Sequence, residues 1–325
     1  GLTLVELMVA LAIGSFLIVG AVQIYNQSRQ AFVVNESIAR VQETAQFAMD
    51  TIEADLRMAS NWGRTSRALT IEGRSIDGNA NPNGLDEPAD CGDGWALDLA
   101  MVVDGENNDY LLPCGAVGGA QPNSDSFTVR RATVARVNRQ AGRMQIQTTR
   151  IQGRLIDDGA LPAGFTEAFD PITGDPLPGS STTHNLLVNS YYVSADSDLI
   201  PGVPTLRRKT LGIDAGAPAV IDQEIAPGVE NLQIQLGIDV DEDNTVDRYV
   251  NPGDPVYDPA AAGFIPGARV LTARVWLVVR GVTPEIGIQH IRDNDPGDIN
   301  PVSYTHLTLP TITSGCRCRW WGVRL

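Results

Sequence analysis

The chain has 325 residues, 43% of them hydrophobic, and a formal net charge of −15 from 24 basic and 39 acidic side chains. That apolar content can bury a core and excludes a disordered tail, and the length suits one large or two modest domains. A field of this sign repels phosphate backbones and anionic headgroups, so direct nucleic-acid binding by the globular part is not expected, whereas divalent cations or basic protein surfaces fit.

From Leu7 to Ser28 no residue is charged, and Leu7 to Val22 is almost wholly apolar. A helix needs about 20 such residues to span a bilayer. A cleaved secretory signal would begin with a basic region and end at a small-residue cleavage site. Here the polar residues Thr3 and Glu6 come first, and the apolar run continues without a break into an amphipathic stretch. Glu6 is costly at a membrane helix end, up to ~3 kcal/mol at mid-bilayer and less near the interface, so a partner is expected. The alternative is a carboxylate resting in the headgroup layer.

The segment Gly1-Leu2-Thr3-Leu4-Val5-Glu6-Leu7-Met8 resembles the type III signal sequence of type IV pilins and pseudopilins. The resemblance implies that prepilin peptidase cuts between Gly1 and Leu2, that Leu2 becomes the methylated amino terminus, and that Glu6 pairs with the terminal ammonium of a neighbouring subunit. Between residues 31 and 60 the apolar positions Val34, Ile38, Val41, Ala45, Ala48, Ile52, Leu56 and Ala59 recur at steps of three and four, predicting an amphipathic helix. Arg40 to Ala59 also resembles the corresponding helix of PilW-type minor pilins. The fold this implies is α+β: the type IV pilin fold, a long N-terminal helix, half transmembrane and half amphipathic, packed on an antiparallel β-sheet head.

After Trp62 the sequence turns rich in Gly, Pro, Asn and Asp, and residues 73 to 94 read as a long surface loop. Cys91 at its end and Cys114 form the lone pair in a domain expected to be exported. They read as a disulfide worth roughly 3 kcal/mol, with two buried thiols as the alternative. Strand-like segments follow at Ser126 to Val137, Met144 to Ile151, Asn185 to Ser194, Thr205 to Leu211, Asn231 to Asp239 and Arg269 to Arg280. Strict alternation places Leu232, Ile234, Leu236 and Ile238 toward a core. No helix-length segment alternates with these strands, which predicts an antiparallel sheet.

In Asp239 to Asp247 acidic residues stand at alternate positions, with Asn244 where a sharp turn needs left-handed backbone. Asp239, Asp241, Asp243 and Asp247 with the Thr245 carbonyl resemble the first nine positions of a calcium loop. The pattern departs from an EF-hand in having Asn at the turn and Val250 where the bidentate Glu belongs, and an acidic solvated turn is the alternative. This loop makes calcium a candidate ligand, and no cofactor is required. His184, His290 and His306 read as structural or exposed, and no nucleophile triad, phosphate loop or zinc ligand set can be assembled, so no enzyme is expected. Arg207 to Lys209 reads as a solvated strand face.

Val188 to Ser194, Pro204 to Arg208, Pro227 to Ile234 and Ala273 to Arg280 also look PilW-like. By contrast, Val302 to Thr311 resembles one reading frame of a sequencing-library adaptor. Cys316, Cys318 and three of the arginines lie in or after that stretch, and without those arginines the charge is −18 (−15 − 3). The expected division is residues 1–30 for the signal motif and membrane helix, 31–60 for the amphipathic half, 61–301 for the β-rich head and 302–325 for read-through. Both ends of the chain are expected to be incomplete. The expected function is that of a minor pilin in pilus initiation or the tip complex. A type II secretion pseudopilin and a calcium-dependent tip adhesin are the alternatives. Expected partners are other major and minor pilins, prepilin peptidase and the inner-membrane assembly platform, with the head in the periplasm of a Gram-negative bacterium.

Overall fold

A single uninterrupted helix, α1 (Leu4–Arg57), carries both the apolar run and the amphipathic stripe in the computed structural model, which describes residues 3–76, 80–282 and the backbone of 316–324. It ends three residues short of the expected limit, where Met58 N–H bonds to Asp55 O at 3.1 Å and Ser60, at a φ of 63°, turns the chain. From Leu4 to Val33 every residue is exposed except the half-buried Gly14 and Gly20. Val34 and Ile38 are half-buried, and Val41, Ala45, Ala48, Met49, Ile52 and Leu56 are buried. The stripe thus becomes a packed face only in its second half. Ala45 and Ala48 keep the helix axis close to the strands beneath, and burial of Ile52 and Leu56 contributes about 2 kcal/mol each.

The head holds an eight-stranded sheet and a second, four-stranded one. The first comprises β1 (Ile71–Glu72), β2 (Val103–Glu106), β3 (Ser126–Ala132), β4 (Ala141–Thr148), β5 (Gly153–Asp158), β6 (Thr182–Ser194), β7 (Thr205–Asp214) and β8 (Ala217–Pro227). The second comprises β9 (Val229–Asp239), β10 (Arg248–Val250), β11 (Arg269–Val279) and β12 (Cys316–Arg324). Every pairing is antiparallel except β1 with β5. The antiparallel expectation therefore holds with one short parallel exception. All six expected strands form, and β1, β2, β5, β8, β10 and β12 are additional. The β7–β8 hairpin turns through Ala215 and Gly216, both left-handed at φ 48° and 86°, the two-residue turn that matches strand twist.

Side-chain alternation gives the first sheet two buried faces. On one, Phe127, Val129, Tyr191 and Val193 share a core with the α1 stripe and with Leu232, Ile234, Leu236, Ile238, Val275 and Leu277 of the second sheet. On the other, Met144, Ile146, Leu186 and Val188 lie under Trp62, Trp95, Leu97 and Leu99 from the segments that follow α1. Cys91 and Cys114 are bonded, so the disulfide reading holds. The bridge fastens the long loop over this second core, where Trp95 Nε1 donates to Ser190 Oγ at 2.9 Å. That loop is not wholly superficial, since Gly73, Pro88, Cys91 and Gly94 within it are buried.

Strand β12 falls in the stretch expected to be read-through, and its backbone pairs with β11 from Thr272 to Val279. An edge strand accepts any extended segment through backbone groups alone, so this pairing does not bear on where residues 302–325 come from.

Candidate assembly site

The N-terminus of α1 is built by its first four described residues. Thr3 is the N-cap: its hydroxyl accepts from Glu6 N–H at 3.4 Å, and Glu6 Oε2 in turn accepts from Thr3 N–H at 2.9 Å and from the Thr3 hydroxyl at 3.0 Å. This reciprocal capping box satisfies helix donors that have no intrahelical acceptor. Both bonds fall on Oε2, so Oε1 of Glu6 accepts none among the described residues. Behind it, α1 is long and apolar enough to cross a membrane, and its most apolar window has no part buried in the head. Gly1 and Leu2 lie outside the described residues.

At the far end of β9 the acidic loop gathers part of its expected ligand set. Carboxylate oxygens of Asp239, Asp241 and Asp247 lie within 4.8 Å of one another, while Asp243 stands outside this group. Asp243 Oδ1 instead accepts from the N–H and hydroxyl of Thr245, at 2.7 and 2.6 Å. Asp239 is buried, accepts from Glu242 and Asn244 N–H at 2.7 and 3.0 Å, and pairs with Arg269 at 2.9 Å. Burial pushes its carboxyl up, but Arg269 and the two amides outweigh that and hold it below the usual range. Asn244 is left-handed at φ 66°, as the spacing predicts, and so is Glu242 at 65°.

Two buried polar networks were not expected. Asp55, on the packed face of α1, accepts from Arg131 Nη2 at 2.6 Å, Asn189 Nδ2 at 2.5 Å and the Tyr191 hydroxyl at 2.6 Å. Burial, with Asp55 beside it, pushes the Tyr191 phenol well above its ordinary value, so the hydroxyl stays a donor. The sequence signal was an acid three residues after Ile52, on the apolar stripe itself. The second network corrects the reading of Arg207 to Lys209 as a solvated face. Arg207 and Lys209 are buried, and Arg207 meets Asp222 at 2.6 Å and Asp198 at 2.9 Å while Lys209 meets Asp222 at 2.9 Å. Asp198 comes from the loop before β7 and Asp222 from β8, a strand not anticipated, whose register sets Arg207 opposite Glu224 and Lys209 opposite Asp222.

His184 is buried in β6, its ring nitrogens bonded to Thr133 O at 2.7 Å and to the Thr182 hydroxyl at 2.9 Å. Burial lowers its pKa, against the pull of the Thr133 and Ala135 carbonyls, which marks a structural residue. His290 and His306 lie outside the described residues.

Among known families, the one described as Type IV Pilus-assembly protein W matches residues 190–313. The match supports a PilW-like type IV pilus protein. No curated protein and no solved structure matches the chain. The matched span takes in the end of β6 and all of β7 to β11, and so includes the Arg207 network, the acidic loop and Arg269. It also runs past Pro301, into the stretch expected to be read-through. The long apolar helix lies outside it; among the described residues it alone is long and apolar enough to cross a membrane, and together with the mostly antiparallel head it fits a pilin-like α+β fold.

Proposed function

We propose that the chain is a minor pilin that helps initiate pilus assembly or forms part of the tip complex. The observation that carries this reading is the first half of α1, exposed and uncharged from Leu7 to Ser28, with the Glu6 carboxylate at its start and Oε1 open to a second donor. A bare apolar helix of this length needs a bilayer or other helices around it. In this reading prepilin peptidase cuts between Gly1 and Leu2, Leu2 is methylated, and the subunit waits in the inner membrane of a Gram-negative bacterium with its head in the periplasm. It then enters the filament with major and minor pilins, where Glu6 takes the terminal ammonium of a neighbour. Glu6→Ala is expected to leave membrane levels unchanged and to lower the amount recovered in sheared filaments at least tenfold. Undiminished recovery would refute the pairing role. A type II secretion pseudopilin shares the same helix, and the neighbouring genes separate the two.

The gathering of Asp239, Asp241 and Asp247 favours a second reading, a calcium-dependent tip adhesin. Hard oxygen ligands at this spacing suit calcium, which also relieves repulsion between the carboxylates. Calorimetric titration of the full-length protein in detergent should then give heat at millimolar calcium, abolished by Asp241→Asn. No heat in the unaltered protein sinks this reading.

A further inference from the structure

Strand β5 ends at Asp158 and β6 begins at Thr182, and in the sheet β4 lies between them. At its end β5 pairs with Ala141, the first residue of β4, and at its start β6 pairs with Thr148, the last. The connection from residue 159 to 181 therefore runs the length of β4, over one face of the sheet. A connection of this size with no helix or strand of its own is uncommon in a compact domain and is usually functional or disordered.

From Gly159 to Gly179 not one residue is buried. Leu161, Phe169, Ile172 and Leu177 stay 37 to 92% exposed, so no apolar face fastens the segment to the sheet. What lies beneath it is polar and fully buried, Gln147 on β4 and Thr183 on β6, which face each other in register. Glu167 reaches down to them. Its Oε1 accepts from Gln147 Nε2 and from the Thr183 hydroxyl, both at 2.9 Å, and its Oε2 pairs with Arg139. Burial pushes this carboxyl up, but Gln147, Arg139 and Thr183 outweigh it and hold the carboxyl below its ordinary value, so it is ionised at neutral pH. A second tether is Arg136, which donates to Gly174 O at 2.6 Å and lies over the Phe169 ring. Within itself the segment is a bonded hairpin: Asp170 N–H donates to Asp175 O and Gly174 N–H to Asp170 O, both at 2.8 Å, and Leu177 N–H to Ala168 O at 2.9 Å.

We propose that Gly159 to Gly179 is a strap latched by Glu167, which swings off the sheet as one piece while the rest of the head stays folded. The motion does not depend on the assembly role above. Three features select it. The hairpin bonds keep the strap in shape when it leaves the sheet. Gly159 and Gly179, left-handed at φ 71° and 78°, bracket it, and a Cβ built at Gly179 would meet nothing within 4 Å, so that end is free to turn. Opening exchanges side-chain hydrogen bonds and a partly exposed ion pair for bonds to water and uncovers no apolar core. Segments with few buried apolar contacts are the ones that open as cooperative units below global unfolding. Once open, the strap offers the Gln147 amide and the Thr183 hydroxyl to whatever stands in front of the sheet.

The test uses the full-length protein in detergent, with Cys316→Ser and Cys318→Ser so that the Cys91–Cys114 disulfide is the only native cysteine pair left. Spin labels go on Ile172→Cys, at the exposed tip of the strap, and on Ile151→Cys, exposed between β4 and β5, and double electron–electron resonance reads the distance between them. A reference pair joins Ile151→Cys to Leu199→Cys, exposed between β6 and β7. The expected result is two distances for the strap pair, with the longer population rising at least threefold in Glu167→Ala, and one unchanged distance for the reference pair. A strap distance that Glu167→Ala leaves as it was overturns the proposal. So does broadening of both pairs together in that variant, which is loss of the head's fold and not the opening of a strap.

Discussion

Replacing Asp55 with alanine is expected to remove about 3 to 5 kcal/mol from the stability of the head, the cost of leaving a buried ion without its counter-charge. Asp55 takes the Arg131 guanidinium, the Asn189 amide and the Tyr191 hydroxyl at once, and is itself only 3% exposed. Alanine would leave three donors facing a gap. Urea unfolding of the full-length protein in detergent, followed by tryptophan fluorescence, reads the effect, because Trp62 and Trp95 are buried in the core beneath the same sheet. A companion variant, Asp55→Leu with Arg131→Met, removes both charges and should recover much of the loss, since replacing a buried ion pair by apolar side chains is often nearly neutral. A loss below 1 kcal/mol in Asp55→Ala would show that the network contributes little.

Arg207→Met should cost about 3 kcal/mol for the same reason, because Asp222 and Glu224 lose a buried partner. Its pH dependence has a definite sign. Burial pushes the Asp222 carboxyl up, but the Tyr192 hydroxyl, Lys209 and Arg207 outweigh it and hold the carboxyl below its ordinary value. A depressed folded pKa gives stability that is fully present above the unfolded value, near ~3.9, and is lost as pH falls through the folded one. The gap between the unaltered protein and Arg207→Met should therefore be constant around neutrality and narrow in acid below about pH 4. A gap that widens on acidification contradicts this account.

What could be read in advance followed from periodicity. The α1 stripe and the alternation of Leu232 to Ile238 were legible because a single buried face imposes a period of 3.6 or 2 on the sequence. Strand β8 was not, because in Ala217 to Pro227 the run Asp222-Gln223-Glu224 and Pro218 interrupt the apolar positions Val220, Ile221, Ile225 and Ala226. What holds it in the sheet is pairing with β7 and the ion pairs across it, and those partners are distant in pattern if not in sequence. The same blindness turned Arg207 and Lys209 into a supposed solvated face: a charge buried by its partner looks in sequence like a charge in water. Glu6 stood out in the sequence as an acid at the mouth of an apolar run, but the capping box it forms with Thr3 was not anticipated. The acidic loop was read correctly as to its turn at Asn244, but only three of its four expected carboxylates gather, since Asp243 is drawn to Thr245.

The unbroken course of α1 has a mechanical meaning. Fifty-four residues of helix make a rod of about 80 Å, with no hinge between its apolar end and the Asp55 clamp. A pull on the apolar end therefore arrives in the head as a load along the helix axis. It is borne in shear, by the packed stripe and by the bonds at Asp55 acting together, rather than by opening one contact after another. The buried aspartate sits near the inner end of that rod, where it works as a tie-pin against sliding.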